Sequence, residues 1–166
     1  MGAYRETRNI EASLIEKIEN ILTENKWSNV EVVKSFARAY SIPINPDEKT
    51  AVICIRVGVT THNSIEVGSD STFRKPLLLI DLFASSDGQK EDLTDTLVAE
   101  LKKGWDYTEY TIADGAVESR VRNGKIQVSS LTIAPINFDI DKDQLLPHDR
   151  YRNLITLNCI KNSVEE

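Results

Sequence analysis

Four groups of residues in this chain have types and spacings from which chemistry is built, and each falls short of a complete site. His62 and His148 are the only histidines, and neither stands beside a second ligand at zinc spacing. Asp139-Ile140-Asp141-Lys142-Asp143 alternates carboxylates as a calcium loop begins. The glycine required at its sixth position is Gln144, however, and the bidentate glutamate at its twelfth is Arg150. A solvated acidic loop is the better reading. Asp81, followed by Glu100-Leu101-Lys102, has the ingredients of a metal-dependent nuclease. In such sites the acid and the lysine share a strand, whereas here that pair falls on a helix. Asp81, set in an apolar strand, is instead expected to accept hydrogen bonds from neighbouring backbone or a packed arginine. Cys54 and Cys159 lie far apart in alternating apolar segments. They read as small buried residues of neighbouring strands rather than as a disulfide or a reactive thiol, which fits synthesis in a reducing cytoplasm. There is no Gly-x-Ser-x-Gly elbow, phosphate-binding glycine loop or Cys-x-x-Cys pair. The expectation is a protein without catalytic residues, cofactor or metal.

The elements that carry these residues belong to a chain of 166 residues, 40% hydrophobic and 28% charged. That length suits one domain, 1–166, with a self-sufficient core. No apolar run approaches the roughly 20 residues that cross a bilayer. The opening Met1-Gly2-Ala3-Tyr4-Arg5-Glu6 lacks the apolar stretch of a signal peptide, and Glu6 stands against myristoylation. The net charge of −6 is uneven: Asp81 to Glu118 holds ten acidic residues against three lysines. Such a chain lacks the basic footprint of a nucleic-acid binder.

Leu77 to Ala84 is a nearly unbroken apolar run that suits a strand buried on both faces. A polar turn follows. Ser86 and Gln89 have capping-box spacing, Leu93, Leu97, Val98 and Leu101 make a helical stripe, and Gly104 sits at a left-handed cap. An earlier helix carries Ile10, Leu14, Ile15, Ile18, Ile21 and Leu22, and it ends near Trp27. The first part of Val30–Tyr40 reads as a strand, and Ser41–Glu48 as a proline-punctuated connection. Ala51 to Val59 alternates as a strand. Thr60 to Pro76 is polar and reads as a long loop, functional or mobile, with a short strand at Ile65 and Val67. Strands are expected at Tyr107–Ile112 and Tyr151–Ile160, the latter with Ile155, Leu157 and Cys159 on one face. Asn123-Gly124 predicts a type I′ hairpin between Val117–Arg122 and Lys125–Ile133, setting Val121 opposite Ile126 and Ser119 opposite Val128. A change of apolar parity at Ser129-Ser130 predicts a bulge, and Ala134–Asp149 a second polar connection.

The sum is an α+β domain: a mixed, mostly antiparallel sheet with two main helices packed on one face. The amphipathic helix ending near Trp27, the Leu79-Ile80-Asp81-Leu82-Phe83-Ala84 strand, its Ser-Asp-Gly-Gln turn into an acidic helix, the hairpin and the closing strand follow one another along the chain. In order and size the chain resembles the tail terminator (tail completion) proteins of the neck of long-tailed bacteriophages. That resemblance implies a virion protein made in the host bacterial cytoplasm and assembled as a homohexameric ring. The ring caps the tail tube, ends its polymerisation and offers the head-joining surface. Its partners would be the tail-tube protein and the head-completion or connector protein, with DNA passing through unbound. A head-completion adaptor or tail-tube protein is the alternative within the neck. A small metal-dependent nuclease or ligand-binding domain is the alternative from another class. Candidate interface residues are His62, Arg74 and Lys75 of the first loop, Arg120, Arg122 and Lys125 of the hairpin, and Asp139, Asp141 and Asp143 of the second connection. The acidic helix is expected at the ring's lumen or rim, and the basic hairpin against acidic groups of a neighbouring subunit.

Overall fold

A computed structural model describes residues 2–3, 6–64 and 72–162 of the chain. The order is β1 (Gly2–Ala3), α1 (Glu6–Glu24), β2 (Val30–Val33), α2 (Phe36–Ser41), β3 (Ala51–Ser64) and β4 (Thr72–Phe83). Then come α3 (Asp87–Leu101), β5 (Trp105–Ala113), β6 (Ala116–Ile136), a 3-10 turn at Lys142–Gln144, α4 (Pro147–Arg150) and β7 (Arg152–Asn162). All strands join one sheet in the order β1-β5-β6-β7-β4-β3-β2. Among the described residues only the β2–β3 pair is parallel, so the sheet is mixed and mostly antiparallel, as expected. No helix among the described residues is long and apolar enough to cross a membrane.

The two long helices cover one face. The α1 stripe of Ile10, Leu14, Ile18 and Ile21 and the α3 stripe of Leu93, Leu97 and Leu101 are buried against Ile53, Ile55, Ile80, Leu82, Ile155 and Leu157. Period-2 strands and period-3.6 helices thus contribute to one continuous core. Ser86 caps α3, its side chain accepting from the Gln89 amide at 3.2 Å. The Gln89 carboxamide reaches one residue further back than a capping box requires: its Oε1 accepts from the amide and hydroxyl of Ser85. Gly104 ends the helical segment at φ +76°, and a side chain there would meet the Ile126 carbonyl at 2.6 Å.

The outer edge of β5 is capped by the helix that packs on it. The Thr108 amide donates to Ser13 Oγ at 3.0 Å, and the Tyr110 amide to Asn9 Oδ1 at 3.2 Å. Two buried polar residues of α1 therefore satisfy strand groups that would otherwise template another chain.

Three expectations are corrected. Thr60–Pro76 is mostly sheet rather than loop: β3 runs to Ser64 and β4 starts at Thr72, with Thr60 opposite Pro76 and His62 opposite Arg74. Its polarity reflects an arm of sheet at the N-terminal end of α1, where His62 and Lys75 are exposed and Arg74 pairs with Glu6. Ile65 and Val67 lie outside the described residues. The turn is not at Asn123-Gly124 but at Asp114-Gly115, whose φ values of 50° and 80° supply the hairpin. β6 runs unbroken through Gly124, which takes φ +91° beside the register shift between Asp106 and Thr108. Val121 therefore faces Glu109, Ser119 faces Thr111, and Ile126 lies between Trp105 and Lys161. Both dipeptides tolerate positive φ, but only Asp114-Gly115 lies where the chain must reverse. The Ala134–Asp149 connection is shortened, since β6 continues to Ile136 and α4 occupies Pro147–Arg150. The bulge does form, between Val128 and Ser130.

Candidate functional site

Opposite the long helices, the end of the sheet at Ile136, Arg152 and Phe83 carries a cluster that mixes ions and rings. Asp81 is 4% exposed and accepts from Arg56 at 2.8 and 3.0 Å and from Arg152 at 3.4 Å. The expected packed arginine is thus a pair of them. Arg152 also meets Asp149 at 3.1 Å, and the Tyr40 hydroxyl donates to the same carboxylate. Arg152 lies over the Phe83 ring at 4.6 Å and Arg56 over Phe36 at 4.5 Å. A ring nitrogen of His148 lies 2.6 Å from the Ile42 carbonyl oxygen. Two carboxylates therefore face two guanidiniums, and α2 and α4 are tied through them to β3, β4 and β7.

This cluster is built for holding rather than for reaction. Both Asp81 oxygens are engaged by guanidinium groups. Burial pushes the Cys54 thiol up to about 11, and the Asp81 charge adds to that. Burial raises the Tyr40 hydroxyl too, followed by its hydrogen bond to Asp149. Thiol and phenol are both protonated near neutrality, so neither is a ready nucleophile or base. On the other face, burial alone pushes Cys159 up to about 12. Both cysteines are free and buried, as expected, but they are not in neighbouring strands: Cys54 lies on β3 and Cys159 on β7, with β4 between them. Among the described residues no group of three or more His, Cys, Asp or Glu is placed to hold a metal.

The nine candidate interface residues separate into two groups by charge. Cα partners place Ile136, Arg152, Phe83 and Val52 at one end of the sheet, and Lys125, Asn162, Arg74 and His62 toward the other. His62, Arg74, Lys75, Arg120, Arg122 and Lys125 all lie toward that second, arm end. Asp139, Asp141 and Asp143 lie in the connection, here called the strap, that leaves β6 at the first end. The arm end is not a free basic patch. Arg74 pairs with Glu6 at 2.7 Å, Arg122 with Asp106 at 2.8 Å, and Arg120 lies 4.0 Å from Glu16 and over Tyr110. Arg120 and Arg122 thus belong to a strand pair closed at Asp114-Gly115, with acidic partners in their own chain. Lys75 is exposed and makes no ion pair among the described residues.

Exposed apolar side chains follow the same division. Phe138, Ile140 and Leu146 are 44%, 52% and 60% exposed on the strap, whereas Val59 and Val121 project near the arms. Val59 borders a hollow of about 340 Å³ lined by Thr61, Lys75, Pro76, Leu77 and Ile160 among others. The strap's apolar-acidic alternation is visible in the sequence, where it competes with a calcium-loop reading. Arg56, Tyr40 and Arg152 carry no sequence signal beyond the demand Asp81 makes for a partner. On α3, hydrogen bonds to Lys90 and Lys103 hold the Asp87 and Glu100 carboxyls below their usual range.

No family model and no curated protein matches this chain.

Proposed function

We propose that this chain is a structural protein of a bacteriophage neck. It forms a ring that caps the tail tube, ends its polymerisation and presents the surface on which the head is joined. The observation that supports this reading is the polarity of the sheet: exposed apolar residues with aspartates at one end, and exposed apolar residues with most of the strand-borne basic groups at the other. Heterologous association requires two different surfaces on one rigid body, and closes into a ring when the rotation between copies permits. The resemblance of its sequence layout and size to those of tail terminators supplies the rest of the argument. In this reading tail-tube and head-completion proteins bind the two ring faces, and DNA passes through without specific contact.

A small-ligand site is the second reading. A polar hollow of about 320 Å³ is lined by Ser13, Glu16, Lys17, Asn20, Trp105 and Asp106 among others, and the buried Trp105 indole N–H has no hydrogen-bond partner among the described residues. Native mass spectrometry and negative-stain imaging of the purified chain distinguish the two. Closed rings support the neck reading. A monomer at every concentration, thermally stabilised by a metal ion or a nucleotide, overturns it in favour of the second.

A further inference from the structure

We infer that the strap of one copy docks into the hollow beside Val59 of a second copy, Phe138 and Ile140 entering it with Asp139 set against Lys75. This rests on the self-assembly reading above and names the contact that reading requires.

The strap is held in place. Its 3-10 turn is closed by the Gln144 and Leu145 amides bonding back to Asp141 and Lys142, and Lys142 lies 4.3 Å over the Tyr151 ring. At its far end α4 is fixed through His148 to Ile42 and through Asp149 to Tyr40 and Arg152. The buried ions of Asp81 thus anchor a segment whose own apolar side chains point to solvent. A segment held this firmly loses little freedom on binding, which favours a docking element over a floppy tether.

The hollow offers the complement. Val59, Pro76, Leu77 and Ile160 line it, Thr61 and Lys75 contribute its polar atoms, and Val59 is 73% exposed. Its volume of about 340 Å³ accommodates large apolar side chains. Asp139 and Asp141 have no ion-pair partner among the described residues, and neither has Lys75. Opposite charges beside two apolar surfaces set a register as well as an attraction. Within one chain the sheet end at Arg152 and the hollow at Asn158 are six positions apart on β7, on the order of 20 Å. With the strap pinned at the sheet end, the occupant is a second copy. The contact is heterologous, each copy giving its strap and receiving another's.

Disulfide trapping tests the geometry. One preparation carries Ile140→Cys and another Val59→Cys, and they are mixed and oxidised; the native thiols are buried. A mixed disulfide in high yield, absent from either preparation alone, is expected. Crosslinks only between two Ile140→Cys chains overturn the inference, because they mark a symmetric contact. Sedimentation velocity of Phe138→Ala is the second measurement, with self-association expected to weaken about tenfold or more. Association equal to wild type, with wild type still oligomeric, overturns the docking contact and leaves the assembly reading standing. A wild-type chain monomeric at every concentration overturns both.

Discussion

The two faces of this sheet are made from the same strands and held by different physics. On one, two helices of nineteen and fifteen residues bury a continuous aliphatic core. On the other, the buried apolar cluster among the described residues is Val33, Ala39, Val52, Cys54 and Phe83, with Tyr40, Ile42 and Ile44 packed against it, and the rest of the grip comes from ions and rings around Asp81. Leu77, Leu79, Leu154 and Ile160 stay half-buried there. The contrast separates two tasks. Area removed from water makes the helical face the seat of stability, while directional contacts let the other face position a strap and leave surface for a partner.

Paired truncations test that division with the largest expected effect. Leu97→Ala on the helical face is expected to cost about 2–5 kcal/mol, since the side chain is fully buried. Leu79→Ala on the opposite face is expected to cost less, about 1–2 kcal/mol, because part of its area is already in water. Urea unfolding of both variants gives the difference, and equal losses would erase the distinction between the faces. Next comes Asp81→Asn, which leaves two guanidiniums facing each other. A buried pair broken on one side loses about 3–5 kcal/mol, reduced here to about 2–4 because Arg56 is a third exposed. Greater hydrogen exchange in α4 and the strap than in α1 is the specific sign that the lost ions served that face.

The helical face was also the legible one. Its stripes recur at helical spacing and its strands alternate, so Ile10, Leu14, Leu93 and Leu97 announce their burial. Asp81 announced a partner because a lone carboxylate in an apolar strand demands one, but nothing local says which arginine will arrive from a distant strand. The arms were misread for a related reason. A strand with no core to face loses its alternation, so Thr60–Ser64 reads as loop. Of two glycine turn signals, Asn123-Gly124 is the stronger by local rule, yet β6 passes straight through it to change partner from β5 to β7. Tertiary pairing decides that, and dipeptide preference does not. The strap's Phe138 and Ile140 were visible but mute, because an apolar residue in an acidic run signals exposure only once the fold is known.

Alkaline titration reaches both faces and is silent at neutral pH. Burial, the main cause in each case, pushes Cys54 up to about 11, and Cys159 and Tyr107 each up to about 12, against ordinary values of 9.0 for a thiol and 10.0 for a phenol. The unfolded chain releases these protons first, so above pH 9 the folded state holds more protons than the unfolded one. Stability is therefore full below about pH 9 and declines as pH rises toward 12. Urea midpoints measured across that range should fall. Cys159→Ser combined with Tyr107→Phe should flatten the decline more than Cys54→Ser does, because two of the three groups lie on the helical face. A midpoint constant to pH 11 would mean these groups are not shielded as the fold requires.

The finest comparison uses two serines with the same local geometry on opposite faces. Ser86 caps α3 by accepting from the Gln89 amide at 3.2 Å, and Ser35 caps α2 by accepting from the Arg38 amide at 3.2 Å. Removing either hydroxyl orphans one helix-terminal donor, worth about 1 kcal/mol at the helix itself. The consequences should differ because the helices are held differently. α3 is docked through Leu93, Leu97 and Leu101, so its N-terminus cannot melt without exposing core, and Ser86→Ala should lower global stability by about 1 kcal/mol. α2 has six residues and buries Ala39 alone, so it can open while the sheet stays intact. Ser35→Ala should leave the urea midpoint within about 0.5 kcal/mol of wild type while amide exchange in residues 36–41 accelerates about fivefold, the ratio that 1 kcal/mol sets. An Asp at either position should restore wild-type behaviour, since its carboxylate accepts the same bond. If Ser35→Ala instead lowers global stability as much as Ser86→Ala, α2 is part of the cooperative core, and the second face is no more separable than the first.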